Sequence, residues 1–185
     1  MISTNEARPG MALDLPEGLF SVVEYQHVKP GKGRAFVRMK LKNLDNGAVI
    51  DRTFRAGEQV DQAVIDRREH QFLYRDDLGY HFMDLETYAQ FALNEDQVGD
   101  ASHFLVDGLT TILPMYHELP IAVELPASVE MDVVEAEPGV KGDRVSGATK
   151  PVTVSTGLLV QVPLFVEEGD RIKVDTRTGS YMTRV

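Results

Sequence analysis

Residues 35–42 alternate between apolar and cationic side chains, and this pattern constrains the fold more than any other feature of the sequence. Apolar residues occupy positions 35, 37, 39 and 41, and cations occupy positions 38, 40 and 42. Such an alternation predicts a β-strand that is buried on one face and exposed on the other. The β-rich segment 19–28 precedes it, and the intervening Lys-Pro-Gly-Lys-Gly at 29–33 cannot continue either strand. The sequence therefore predicts a β-hairpin with Lys32 at its tip.

Similar short strands are predicted along the rest of the chain. Asn46-Gly47 and residues 75–79 each indicate a further hairpin turn. One helix is expected to begin at the N-cap Asn94, with Gln97 completing a capping box, and to end at Gly108. Many short strands with little helix predict an all-β chain of three small β-barrels in series. We place the three domains at residues 1–63, 64–127 and 128–185.

The net charge of −10 is unevenly distributed. Residues 1–63 carry nine Lys and Arg against eight Asp and Glu, a net charge of +1, whereas residues 64–185 carry ten against twenty-one, a net charge of −11. Six cations lie between Lys29 and Lys42, and no acidic residue interrupts them. A cationic arm on an acidic protein can bind phosphate groups, because salt screens the more distant charges. An ordinary solvated strand face is the alternative.

The sequence contains no recognisable catalytic or metal-binding pattern. There is no cysteine, which excludes disulfides and thiolate chemistry. The Gly-Lys-Gly at 31–33 lacks the spacing of a phosphate-binding loop, and a strand rather than a helix follows it. The five histidines lack metal-site spacing, and Ser155 lacks a Gly-x-Ser-x-Gly motif. We therefore expect a binding protein rather than an enzyme, with no catalytic residue, no metal and no cofactor.

The sequence also lacks membrane and export features. The N-terminus has neither the basic nor the apolar segment of a signal peptide, and no apolar run is long enough to span a bilayer. We therefore expect a cytoplasmic protein with no membrane partner.

The segment 27–33, followed by Ala-Phe-Val-Arg at 35–38, closely resembles the elongation factor P family. Because matching motifs come from all three predicted domains, the resemblance covers essentially the whole chain. Further family motifs occur in the same order, at residues 80–84, 142–143, 150–157, 162–163, 165–170 and 179–184.

This resemblance implies an SH3-like barrel of the KOW type followed by two OB-type barrels, arranged in an L shape similar to tRNA. It also implies a monomeric translation elongation factor that binds ribosomal RNA and ribosomal proteins between the P and E sites. Such a factor promotes peptide bond formation at consecutive prolines. Lys32 would contact the acceptor end of the P-site peptidyl-tRNA. The loop residues that support it would be Lys29, Pro30, Gly31, Gly33 and Arg34.

A second loop, in the third domain, is implied to contact the mRNA codon in the E site. It falls within a polar, glycine-containing stretch, 142–151, that also predicts a loop. Arg144 stands where the family usually has threonine, which adds a cation able to contact phosphate and leaves the codon preference open. The expected contact residues are Gly142, Asp143, Arg144, Ser146 and Gly147.

Members of the family often carry an elongating modification on the tip residue, made by a partner enzyme. A lysine at position 32 excludes the rhamnose form, which requires arginine, and the choice among lysine modifications or none stays open.

Three other hypotheses remain for the function of the protein: a paralogue of the family, a general KOW and OB RNA-binding module, and an enzyme with Lys32 as nucleophile. The net charge of −9 over residues 64–127 argues against the second. A glycine-flanked tip does not desolvate a lysine, which argues against the third.

Overall fold

The computed structural model describes residues 1–138 and 147–185, and it is built almost entirely of β-strands. Three sheets of six, five and five strands follow one another along the chain. The prediction of an all-β protein with three β domains is therefore confirmed.

The first sheet contains both strands of the predicted hairpin as direct neighbours. Its strands are β1 (Ile2–Ser3), β2 (Ala12–Leu15), β3 (Gly18–Val28), β4 (Phe36–Asn43), β5 (Val49–Arg55) and β6 (Gln59–Ala63). Their spatial order is β1-β6-β2-β3-β4-β5. The core beneath the sheet is apolar and includes the fully buried side chains of Leu13, Val37, Met39 and Leu41. The alternating pattern thus buries one face of β4 as predicted.

The second sheet contains the predicted hairpin around residues 75–79. Its strands are β7 (Asp66–Asp76), β8 (Gly79–Asp84), β9 (Gln90–Leu93), β10 (Thr110–Tyr116) and β11 (Leu119–Pro120), in the order β11-β10-β7-β8-β9. The turn is tighter than predicted, because Asp76 and Gly79 are paired and only two residues connect the strands. Phe72 and Phe82 pack 5.4 Å apart between ring centroids in its core.

The predicted helix begins as expected and ends early. Helix α1 spans Glu95–Val98, and both halves of the capping box between Asn94 and Gln97 are present. Gly99 ends it with a φ of 55° and a ψ of −139°, and a 3-10 helix continues over Gly99–Phe104. The predicted end at Gly108 was wrong, because the earlier glycine takes a backbone conformation that no α-helix contains.

The third sheet encloses a valine-rich core. Its strands are β12 (Ser128–Ala136), β13 (Thr149–Val154), β14 (Leu159–Pro163), β15 (Arg171–Asp175) and β16 (Tyr181–Arg184), in the order β14-β13-β12-β15-β16. The predicted loop 142–151 was too long at its C-terminal end, because β13 already begins at Thr149. Pro151 fits this strand as a residue paired with Gln161 of β14.

The chain packs as two compact units. The first contains Met1–Arg67 and Pro114–Ala122, and within it the Tyr116 hydroxyl donates a 2.8 Å hydrogen bond to Asp14 Oδ2. The second contains Arg68–Leu113 and Val123–Val185. The domain boundaries 1–63, 64–127 and 128–185 stay predictions, because compact units group segments by contact rather than by barrel. No helix in the described part of the chain is long and apolar enough to cross a membrane.

Candidate functional site

The hairpin of β3 and β4 carries the candidate site at its end. The two strands are paired from Phe20 opposite Asn43 to Val28 opposite Phe36, with a bulge between Val22 and Glu24. The seven residues 29–35 form the loop between the paired ends. Strand β5 pairs with β4 along its whole length, so the hairpin is supported by a third strand up to its tip. A supported hairpin holds its loop in a defined direction.

All the predicted tip residues are together in this loop, and all are exposed: Lys29, Pro30, Gly31, Lys32, Gly33 and Arg34. Gly33 has a φ of +123°, which is strained for any residue with a Cβ atom, whereas Gly31 has no such angle. Lys32 therefore lies next to the residue at which the backbone turns back toward β4. Its amine has no hydrogen bond or ion pair with any residue that the structure describes, so it can contact a partner. This exposure also leaves Lys32 without the desolvated surroundings that a nucleophilic lysine needs.

The cations of strand β4 are not equivalent, which the sequence pattern does not reveal. Lys40 Nζ lies 2.7 Å from Glu24 Oε1 on β3, and Lys40 is paired with Asp51 on β5. The hydrogen bond to Glu24 raises the pKa of Lys40 above its usual value, so this lysine is charged and neutralised by its partners. Arg38 and Lys42 are exposed and have no ion pair with any described residue.

The predicted codon loop cannot be placed in the same way. Gly142, Asp143, Arg144 and Ser146 lie outside the described residues. Gly147 is described, and it is exposed with a φ of +93°, two residues before β13. The assignment of this loop stays a prediction.

The structure also contains a buried polar pair that sequence reasoning missed. The His70 and Asp84 side chains are 0% and 1% exposed, and His70 Nε2 lies 3.7 Å from Asp84 Oδ2. Backbone N–H groups of Thr87 and Glu86 donate to Asp84 Oδ1, and they hold the pKa of this carboxyl below its usual range. Among the residues that the structure describes, no group of three or more His, Asp or Glu side chains could hold a metal ion. Both side chains are buried beneath the second sheet.

A polar cleft of about 430 Å³ lies within the second compact unit. Arg171 Nε is 3.3 Å from Asp132 Oδ1 on one of its walls. Arg75 lies over the Tyr80 ring at 5.0 Å and forms a short ion pair with Glu95. Because both arginines already have acidic partners, neither is free to bind an anionic ligand in the cleft.

Comparison with protein families assigns each of the three sheets to a known domain type. Family models match residues 3–60 as an elongation factor P KOW-like domain, residues 65–123 as an elongation factor P OB domain, and residues 129–184 as the C-terminal domain of elongation factor P. The fold, the exposed cationic hairpin and these matches define a translation factor built from consecutive KOW-like and OB domains.

Comparison with full-length relatives identifies the family of the whole chain. The chain is 52% identical over 184 residues to an elongation factor P from Moorella thermoacetica and 53% identical over 184 residues to one from Symbiobacterium thermophilum, with complete coverage of both chains in each comparison. The chain belongs to the elongation factor P family. Its membership confirms the family predicted from the hairpin and the later motifs.

Solved structures support the fold. A translation initiation factor 5A from Methanococcus jannaschii is similar over 66% of this chain and 92% of its own, with a TM-score of 0.52 and 22% identity. A translation initiation factor eif-5a family protein from Naegleria fowleri is similar over 67% and 96%, with a TM-score of 0.53 and 12% identity.

Proposed function

We propose that this protein binds the ribosome between the P and E sites and uses the Lys32 loop to position the peptidyl-tRNA for peptide bond formation at consecutive prolines. The observation that carries this proposal is the placement of Lys32, which is exposed and without a described partner at the end of a hairpin that a third strand supports. The membership of the elongation factor P family supplies the translational context.

Positioning suits a reaction that involves proline. Proline is a secondary amine with a fixed φ, so it adopts a reactive geometry less readily than other residues, both as peptidyl donor and as acceptor. Holding two reactants in a productive pose lowers a barrier without any chemical contribution from the group that holds them. The ribosome is then the catalyst, and this protein acts as a non-enzymatic factor without a cofactor.

The loop residues around Lys32 have distinct tasks in this proposal. Pro30 restricts the ascending side of the loop, and Gly33 allows the reversal of the backbone on the descending side. Lys29 and Arg34 add cations beside the tip, where ribose and phosphate groups of the tRNA acceptor end would lie. A partner enzyme that lengthens Lys32 would extend its reach, and intact-mass measurement with peptide mapping of the native protein detects such a group.

The third domain would contact the mRNA codon in the E site through Gly142, Asp143, Arg144, Ser146 and Gly147. Arg144 adds a cation to this loop, so we expect it to contribute a phosphate contact as well. We propose that the protein acts in the cytoplasm as a monomer.

The test is synthesis of a Pro-Pro-Pro peptide in a purified translation system. We expect the native protein to accelerate it and Lys32→Ala to lose most of the effect, a loss of at least about tenfold in rate, or about 1.4 kcal/mol. Lys42→Ala is the matched control, because Lys42 is an exposed cation at the opposite end of strand β4. Equal activity of Lys32→Ala and the native protein would contradict the role of the tip, and no acceleration by the native protein would contradict the function itself.

A further inference from the structure

Two arginines lie beside each other on the outer face of the first sheet. Val37 and Phe54 are paired across β4 and β5 and are only 0% and 5% exposed, so the residues that follow them, Arg38 and Arg55, lie on the opposite face. Arg38 is paired with Thr53, two residues before Arg55. The two arginines are therefore diagonal neighbours, about 7 Å apart between Cβ atoms.

Both arginines are exposed and unneutralised within the described part of the chain. The side chain of neither one has a hydrogen bond or an ion pair there. The Glu58 carboxylate, which is close to Arg55 in sequence, accepts a 3.0 Å hydrogen bond from the backbone N–H of Arg55 instead. The residues paired with Arg38 on either side, Gln26 on β3 and Thr53 on β5, are polar and uncharged. This part of the outer face thus combines two arginines that form no ion pair with neutral hydrogen-bonding groups, and Asp51 is the diagonal neighbour of Arg38 on the side away from Arg55.

The positive surface ends at the next outward-facing row of the sheet. In this row Lys40 on β4 is paired with Glu24 on β3 and with Asp51 on β5, so one lysine lies between two carboxylates. Because the lysine is neutralised by Glu24 at 2.7 Å, the row carries a net charge of −1 and repels an anion that approaches it.

We propose that Arg38 and Arg55 form a binding site for two neighbouring phosphate groups of an RNA strand, and that the Glu24–Lys40–Asp51 row marks the end of that contact. The site is separate from Lys32. It rests on the proposed function, which brings the hairpin beside RNA on the ribosome. Each guanidinium group can donate two parallel hydrogen bonds to the oxygens of a phosphate, a geometry that a lysine does not offer.

An RNA strand suits this surface better than an acidic protein does. Neighbouring phosphates of an RNA strand present two anionic groups side by side, and the β4–β5 register places two arginines side by side. The amide of Gln26 and the hydroxyl of Thr53 are side chains of the type that binds phosphate and sugar oxygens in nucleic-acid complexes. Such contacts position a strand without selecting a base sequence, so the site would hold RNA in register while the tip acts.

The salt dependence of ribosome binding tests this site. Binding of the full-length protein to ribosomes that hold a P-site peptidyl-tRNA is measured over a series of KCl concentrations for R38Q, R55Q and the charge-matched control K42Q. Lys42 is an exposed cation on β4 beyond the acidic row. We expect the slope of log affinity against log salt to fall by about 0.7–0.9 for each arginine variant, one phosphate contact each, and to stay unchanged for K42Q.

A second measurement identifies the bound molecule. A photo-crosslinking residue at position 53 is expected to give crosslinks to RNA. Equal slopes for the wild type and both arginine variants would overturn the phosphate site while the proposed function stands, and crosslinks to ribosomal protein alone would do the same. A wild-type protein that does not bind these ribosomes would overturn the proposed function and this inference together. R38K keeps the positive charge, so we expect it to keep the wild-type slope. Unfolding curves that match the wild type would show that a variant with lower affinity is still folded.

Discussion

Lys40 on strand β4 donates a 2.7 Å hydrogen bond from its Nζ to Glu24 Oε1 on strand β3. This contact crosses the sheet just beyond the bulge between Val22 and Glu24, and Asp51 is paired with the same lysine from the other side. Of the three cations on this strand, the middle one is therefore neutralised. Its free charge lies at Arg38 toward the tip and at Lys42 toward the base.

The pKa of Lys40 provides the first prediction. The hydrogen bond to Glu24 and the charge of that carboxylate raise this pKa above its usual value, so Glu24→Gln should lower it. A raised pKa stabilises the folded state below the unfolded value of 10.5, and this contribution is lost as the pH rises through the folded value. An NMR titration of the lysine side chains measures the change. A Lys40 pKa that is unaltered by Glu24→Gln would show that the contact is absent in solution.

The two glycines beside Lys32 provide a matched pair of substitutions. Gly33 has a φ of +123°, so Gly33→Ala should strain the loop by at least about 1 kcal/mol or force it into another conformation. A Cβ atom at Gly31 would meet nothing within 4 Å, and its φ is not positive, so Gly31→Ala should fit. We expect Gly33→Ala to lower the rate of Pro-Pro-Pro synthesis and Gly31→Ala to leave it nearly unchanged. The same rate for both variants would mean that the loop conformation does not position Lys32.

Substitutions in the capping box at the start of helix α1 should lower the stability of the protein. Asn94 Oδ1 accepts a 2.9 Å hydrogen bond from the backbone N–H of Gln97, and Gln97 Oε1 accepts one from the backbone N–H of Asn94. Asn94→Ala removes the cap and should cost about 1 kcal/mol, measured by urea unfolding. Gln97→Ala should cost less, because alanine favours the helix and the Asn94 cap remains. A larger loss for Gln97→Ala than for Asn94→Ala would contradict this account.

The lowered pKa of the Asp84 carboxyl should make the stability of the protein depend on pH in the acidic range. Hydrogen bonds from the backbone N–H groups of Thr87 and Glu86 hold its pKa below the unfolded value of 3.8. A lowered pKa stabilises the folded state above the unfolded value, and this contribution is lost as the pH falls below about 4 and through the folded value.

Asp84→Asn should therefore destabilise the protein by about 1–3 kcal/mol near pH 7 and by less near pH 3. Urea midpoints at the two pH values measure this difference. Asp77→Asn is the control, because Asp77 is exposed in the turn between β7 and β8. A destabilisation by Asp84→Asn that is equal at both pH values would show that the lowered pKa has no part in it.

Local patterns in the sequence predicted the features that depend on neighbouring residues. The alternation at 35–42 predicted which face of β4 is buried, and Val37, Met39 and Leu41 are indeed fully buried. The capping box was predicted correctly at Asn94, since its two halves are three residues apart. The end of the helix was not, because the backbone conformation of Gly99 depends on how the chain continues around it and a glycine permits several.

Local sequence patterns are enough to predict three β domains with an exposed lysine at a hairpin tip, because period-two alternation and a Pro-Gly-Lys-Gly turn act over a few residues. Which cations lack an acidic partner, in contrast, depends on how the strands pair in the folded protein. Lys40 is neutralised by residues on two other strands, while Arg38 and Arg55 become neighbours through the β4–β5 register although they are 17 positions apart in the sequence. The tertiary structure also buries His70 against Asp84. Strand pairing sets such contacts, and a charge pattern along one strand does not specify its cross-strand partners.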